Sequence, residues 1–262
     1  MPYAYSEHIY KPNAVVVLRK PEALLFAREK FPEARLYLWL HDLVDEDYAV
    51  EILCACKQTN AFIITVSDFH KDHVAQAIQH KSTPLRIYNP VDDGLIPDET
   101  PVNKNKLVFF SSPHKGLVDT LQYHQAMRTL ISTDIELYVS NPGYLDTNKP
   151  SIDGVHWLGA LPHHEAIKHV REALCVFYIN QVFPETFGLV LAEANAVGTP
   201  VLTPNIGAAS EILYHPAEIL TGLDKIEPTL RSWYDGNRPI VRGKSEYRLS
   251  NVIKSWIKQV VK

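Results

Sequence analysis

The sequence predicts an α/β chain of two Rossmann-like lobes, the first of them reduced. Three observations carry this. Short β-branched runs alternate with helical patterns, a segment without periodicity divides the alternation into two series, and one run in the second series is apolar throughout. A strand of a parallel sheet, covered by helices on both faces, reads in that way. At 262 residues the chain is long enough for one large or two small domains, and 46% apolar residues are enough to fill a sizeable core.

The first series opens with the strand AVVVL at 14–18 and a helix from Pro21 to about Lys30, where proline suits the first turn. RLYLWL at 35–40 is the next strand, 46–57 a helix, and AFIITV at 61–66 a third strand. Ser67 and Asp68 can cap the helix that carries Val74, Ala77 and Ile78, and LRIY at 85–88 is a fourth strand. Residues 89–105 then hold three prolines, a glycine and many charges with little periodicity, which reads as a linker. The expected lobes are therefore about 1–96 and 97–262.

The second series begins with KLVFF at 106–110, a turn, and a helix from about Gly116 to Ile131 with Leu117, Leu121, His124 and Ile131 on one face. IELYVS at 135–140, a Pro-Gly turn and VHWLG at 155–159 follow, then a helix carrying Ile167 and Val170. LCVFYI at 174–179 is the run that is apolar throughout. A helix over about 187–197, the strand PVLTP at 200–204 and a further helix from near Ala208 complete the series, and 245–262 reads as one amphipathic helix.

Charge and cysteine usage narrow the function. The 26 Lys and Arg against 30 Asp and Glu leave a net charge of −4, which disfavours a dedicated nucleic-acid binder. Three cysteines at no framework spacing suggest a reducing compartment, and no run approaches the ~20 apolar residues of a membrane span. Residues 1–13 lack the apolar core of a signal peptide. The expected location is the cytoplasm, with peripheral attachment to a membrane left open.

The chemistry concentrates in PETFGLVLAEANAVGTPV, residues 184–201. Glu185 falls in the loop after a buried strand, Gly188 opens a helix, and Gly198 with Pro200 ends it. Open α/β sheets bind ligands at the carboxyl ends of their strands, where helix N-termini favour phosphate groups. Glu193 stands five residues into the helix, ~7–8 Å along its axis. Two carboxylates so placed can accept from hydroxyls at both ends of a nucleotide sugar, Glu185 at the sugar and Glu193 at the ribose. By spacing alone, two solvent-exposed glutamates are the commoner arrangement, and the surrounding residues decide.

Those residues resemble the donor half of retaining glycosyltransferases of family 4, which have the GT-B fold. The resemblance runs from His156 to Leu213 through Leu158-Gly159, Glu185-Thr186-Phe187-Gly188-Leu189, Glu193, Gly198-Thr199-Pro200-Val201, Gly207 and Glu211. It implies that Glu185 contacts the donor sugar, that Glu193 contacts the ribose, and that backbone amides near Phe187, Gly188 and Leu189 meet the sugar and phosphates. It also implies that the backbone near Leu161 and Pro162 meets the base. SSPHKGL at 111–117 is similar to the family's first donor-lobe loop, where Lys115 would bind the diphosphate and stabilise the leaving group. Ser111-Ser112 stands where the family usually has Gly-Arg, so one expected cation is missing. In the first lobe Trp39-Leu40-His41-Asp42 resembles the strand whose histidine reaches the donor sugar, while Thr65-Val66-Ser67 and Tyr88-Asn89-Pro90-Val91-Asp92 match later landmarks. The family's first strand and Gly-rich turn have no counterpart, so the acceptor side is shortened.

The resemblance implies a metal-independent transferase, with no cofactor, that moves a sugar from a nucleotide-diphosphate sugar to a glycan, lipid or small-molecule hydroxyl. The catalytic set is Glu185, His41 and Lys115. A protein partner could complete the acceptor side. The alternative is a non-catalytic nucleotide-sugar-binding or scaffold subunit. Asp45-Glu46-Asp47 could suggest a metal-dependent GT-A site, but it sits at a helix start, where acidic residues are favourable anyway. His70 with His73, and His163, His164 and Glu165, read as polar helix faces, because neither group has the i, i+4 histidine spacing of a zinc helix.

Overall fold

The structure, a computed structural model, describes residues 11–79, 83–141 and 149–261. The chain divides into two compact units. One runs to Ile87 and includes Lys254 and the residues after it; the other is Tyr88–Ile253.

In the first unit β1 (Ala14–Leu18), α1 (Ala23–Lys30), β2 (Arg35–Trp39), α2 (Glu46–Thr59), β3 (Phe62–Thr65), α3 (Asp68–Ile78) and β4 (Leu85–Arg86) follow in order. The four strands lie side by side in that same order, all parallel. Alternation along the strands turns Val17, Leu36, Leu38 and Ile63 toward Leu24, Ile52 and Val74 of the helices. Each such burial contributes roughly 1.5–3 kcal/mol. The helix starts are written in the sequence. The Asp45 side chain accepts from Tyr48 N at 2.8 Å, and the Ser67 hydroxyl accepts from His70 N at 2.9 Å. On the opposite face Trp39 meets Trp256 edge-on at 4.8 Å, and Arg35 donates to the Val260 carbonyl at 3.0 Å. These contacts place the last residues of the chain in the first unit.

The second unit holds β5 (Asn103–Phe110), α4 (Leu117–Leu130), β6 (Glu136–Asn141), β7 (Val155–Ala160), α5 (His163–Glu172) and β8 (Ala173–Phe177). It continues with α6 (Leu189–Ala196), β9 (Val201–Pro204), α7 (Ala209–Ile212), β10 (Ile219–Leu220) and α8 (Ile226–Ser232), and α9 (Leu249–Trp256) crosses into the first unit. The sheet order is β10-β9-β8-β5-β6-β7, with parallel pairing. The chain winds outward from β5 through β6 to β7, then returns to the other side of β5 with β8. The switch point of this doubly wound sheet therefore lies between β5 and β8, where such sheets bind ligands. Every residue of β8 is buried, as its apolar run requires.

Two expected boundaries move. Residues 88–96, assigned to the first lobe from sequence, cluster with the second unit. Val91 N donates to the Tyr247 carbonyl at 2.8 Å, Leu249 N donates to the Val91 carbonyl at 2.8 Å, and Arg248 donates to the Leu95 carbonyl at 2.7 Å. The same bridge interrupts the expected single helix over 245–262. Arg248 is extended, with φ −64° and ψ 138°, so a 3-10 turn at Ser245–Tyr247 precedes α9 and a wider turn at Ile257–Val261 follows it. The Pro142-Gly143 turn and residues 1–10 lie outside the described residues.

Buried histidines give the fold a pH dependence. His70 donates from Nε2 to the Asp42 carbonyl at 2.9 Å and accepts at Nδ1 from Val66 N at 3.3 Å, so both nitrogens are used by the neutral ring. His124 is arranged alike between the Ile135 carbonyl and the Gln125 amide. Burial lowers both to about 4. In the unfolded chain these rings protonate near 6.5. Between those values the unfolded state binds more protons, so stability falls as pH drops through that window. Melting curves should show a lower Tm at pH 5 than at pH 7, and a flat profile would contradict the neutral assignment.

Candidate functional site

Two loops at the carboxyl ends of β5 and β8 carry the principal groups. After β5, Ser111 and Ser112 are buried, Lys115 N donates to the Ser112 carbonyl at 2.9 Å, and Gly116 caps α4 at φ +89°. A Cβ on Gly116 would lie 2.6 Å from both Asn180 Cα and the Ile179 carbonyl oxygen, so only glycine lets α4 seat on the loop that follows β8. That contact joins the loops. Lys115 Nζ donates to Glu185 Oε2 at 2.9 Å and stands 5.3 Å from the centre of the Phe183 ring.

Glu185 is only 6% exposed. Its other carboxylate oxygen, Oε1, accepts from the Tyr178 hydroxyl at 2.7 Å. Burial first, then the Glu185 charge, pushes the Tyr178 phenol far above its ordinary value, so it stays a proton donor. The backbone of Glu185 is held as well. Ala208 N donates to its carbonyl at 2.9 Å, and Gly207 packs directly against its peptide. Asn180 closes the intervening turn, donating to the Phe183 carbonyl at 2.6 Å and accepting from Phe183 N at 3.0 Å.

Gly188 is the N-cap of α6, with φ +84°, and its carbonyl accepts from Ala192 N at 3.2 Å. Phe187 is buried and meets Tyr247 edge-on at 5.6 Å, so its side chain is an anchor and only its backbone is available to a ligand. Leu189 is exposed at the first position of the helix. Glu193, one turn on, accepts at Oε1 from His163 Nε2 at 3.0 Å. Burial raises the Glu193 carboxyl and the His163 charge opposes this. His163 opens α5, immediately after half-buried Leu161 and exposed Pro162, so the groups expected around the base and the ribose come together.

His41 belongs to the first unit, where it packs on Trp39 at 4.5 Å. Burial, then the Arg19 charge, lowers it to about 4, so the ring is neutral at physiological pH. The residues considered for metal have other roles. Asp45 caps α2, and His73 bonds the Val44 backbone at 3.0 Å. Among the described residues no three His, Cys, Asp or Glu side chains are grouped as a metal ion would require.

Four contributors escaped the sequence reading. In sequence His163 belongs to a polar helix face, and Tyr178 is one more apolar residue of the buried run. Asn180 falls in a loop, and Gly207 is a landmark of the resemblance without a role. Only Gly207 carries a signal, since a glycine in a turn can mark close backbone approach.

Residues 144–223 match the family of glycosyl transferases group 1. No curated protein sequence matches the chain. Among solved structures, TarM of S. aureus is similar over 95% of this chain and 55% of its own, with TM-score 0.69 at 13% identity. HepE of Anabaena, in complex with UDP and glucose, is similar over 93% and 73%, with TM-score 0.65 at 15% identity. Sucrose-phosphate synthase from Thermosynechococcus elongatus is similar over 94% and 72%, with TM-score 0.66 at 14% identity. The fold is thus that of GT-B glycosyltransferases, and the chain spans little more than half the length of TarM.

Proposed function

We propose that this chain transfers a sugar from a nucleotide-diphosphate sugar to a hydroxyl acceptor, with retention at the anomeric carbon and without a metal ion, as a family 4 enzyme with a shortened first lobe. The observation that supports this best is the meeting of Lys115 and Glu185 at the switch point of the second sheet. A cation and a carboxylate side by side suit a ligand with an anionic diphosphate and a hydroxyl-rich sugar. The bond from the anomeric carbon to the diphosphate oxygen breaks, and Lys115 stabilises the charge that the departing oxygen gains. The acceptor oxygen bonds to the same carbon from the face just vacated, and its proton passes to a phosphate oxygen. Glu185 orients the sugar hydroxyls, and the resemblance gives neutral His41 of the first unit a contact to the sugar.

Neither glutamate suits a covalent role. Glu185 is occupied by Tyr178 and Lys115, and Glu193 is paired with His163 and assigned to the ribose. NMR of the product's anomeric centre tests retention, and an inverted centre rejects it. Transfer should survive EDTA. Loss that magnesium or manganese restores would overturn the metal-free reading.

Donor identity is best found by thermal stabilisation across a panel of nucleotide sugars, because bound ligand raises stability by mass action. UDP-sugars come first, since HepE is in complex with UDP and glucose. Glu193→Ala should weaken donor binding by roughly 10- to 100-fold, the loss of one charge-assisted hydrogen bond, with turnover at saturation nearly kept. Calorimetry with the diphosphate checks this, and unchanged affinity would remove Glu193 from the ribose.

One observation favours the second reading, a donor-binding subunit without turnover. Buried Ser112 occupies the place where the resemblance expects an arginine, so one cation that would assist departure is missing. Donor binding without transfer to any acceptor would select that reading.

A further inference from the structure

We infer that Tyr178 is a positioning residue for Glu185, holding Oε1 from below so that Oε2 is presented to Lys115 and to the donor sugar; this rests on the glycosyl-transfer reading. A carboxylate on a loop can rotate, and rotation would scatter the hydroxyl contacts that orient a sugar. Here each oxygen has its own protein donor, Tyr178 at 2.7 Å and Lys115 at 2.9 Å, which together fix the plane of the group.

The two donors differ in kind. Lys115 is partly exposed and carries the charge that a diphosphate would draw on. Tyr178 is 1% exposed and stands one residue beyond β8, its ring stacked on Phe109 of β5 at 5.8 Å and 26°. Contact with Phe109 on the central strand β5 therefore helps set the position of the phenol. When Lys115 turns toward a diphosphate, Tyr178 is the group left holding Glu185. Another fully buried tyrosine, Tyr247, gives its hydroxyl to the Ile212 carbonyl, which satisfies the donor and orients nothing else.

The departure at Ser111-Ser112 fits the same arrangement. Ser111 and Asn180 stand beside the Tyr178 hydroxyl and oppose the rise that burial imposes on it. Where the resemblance expects glycine, this chain has a side chain beside the phenol.

The test uses the full chain with UDP-glucose and GDP-mannose, each beside its free diphosphate. Tyr178→Phe keeps the ring and removes only the hydroxyl. The expected result is a roughly 10- to 100-fold fall in kcat, with UDP or GDP affinity within about twofold of wild type. Because the two residues act as one unit, Tyr178→Phe combined with Glu185→Gln should be no slower than Glu185→Gln alone, within about threefold. An unchanged kcat, a fully multiplicative double variant, or an equal loss of diphosphate affinity would each overturn the positioning role. If Tyr178→Phe does not fold, Ser111→Ala takes its place. A several-fold fall in kcat at unchanged diphosphate affinity supports the role, and no fall overturns it. Wild-type protein that binds none of the four ligands contradicts the transfer reading itself, an outcome separate from any difference between wild type and variant.

Discussion

Glu185→Gln is expected to lower turnover by roughly 10- to 100-fold while changing affinity for the free diphosphate by less than about threefold. The carboxylate accepts two hydrogen bonds, one from a phenol and one from an ammonium. A glutamine keeps the shape and one acceptor. Its single oxygen can accept from only one of the two donors, and its amide nitrogen faces the other as a second donor where an acceptor is needed, so the hold of Tyr178 on the group is lost. The sugar hydroxyls would meet a neutral group in place of a charged one, at about 1.5–3 kcal/mol for one charge-assisted hydrogen bond. In the proposed mechanism the diphosphate rests on Lys115 and not on Glu185, and Lys115 is left without its carboxylate partner. Initial rates at saturating donor, with calorimetric titration of the diphosphate, separate the two effects. An undiminished rate removes Glu185 from the mechanism, and a loss confined to affinity turns it into a binding residue.

The legible part of this molecule was whatever repeats at short range. The strands and helices of both units follow from alternation and from caps such as Asp45 and Ser67, because those signals act over three or four residues. The two loops of the site were also legible, as Lys-Gly at 115–116 and as Glu-Thr-Phe-Gly-Leu at 185–189. That Lys115 and Glu185 touch was not. They are 70 residues apart, and only the placement of β8 beside β5 makes them neighbours. Tyr178 was hidden for a related reason. Its ring obeys the apolar pattern of a buried strand, and its hydroxyl finds a partner seven residues on, where periodicity says nothing. The tail misled because Arg248 spends its backbone on a parallel bridge to Val91, a long-range contact that overrides a helical pattern continuous in sequence.

Gly207→Ala should cost both stability and activity. Gly207 has φ +61°, which costs an alanine roughly 1–2 kcal/mol. The added Cβ would also lie 2.5 Å from Glu185 N and 2.6 Å from the Glu185 carbonyl oxygen. Those are backbone atoms, so no side chain can swing aside, and forced overpacking of this kind typically adds about 1–3 kcal/mol. The strain falls on the peptide that carries the Glu185 carboxylate and on the hydrogen bond from Ala208 N that secures it. Displacing Glu185 by a few tenths of an ångström breaks its fit to Tyr178 and Lys115 together. Gly236 supplies the control, with φ +108° and nothing within 4 Å of its would-be Cβ. Gly236→Ala should show the backbone cost alone and keep full turnover. The comparison is made by chemical denaturation and initial rates on the two variants in parallel. Gly207→Ala is expected to lose roughly twice the stability of Gly236→Ala and at least about tenfold in kcat. Equal losses of stability with equal, near-wild-type rates would show that the turn at Gly207 does not hold Glu185 in place.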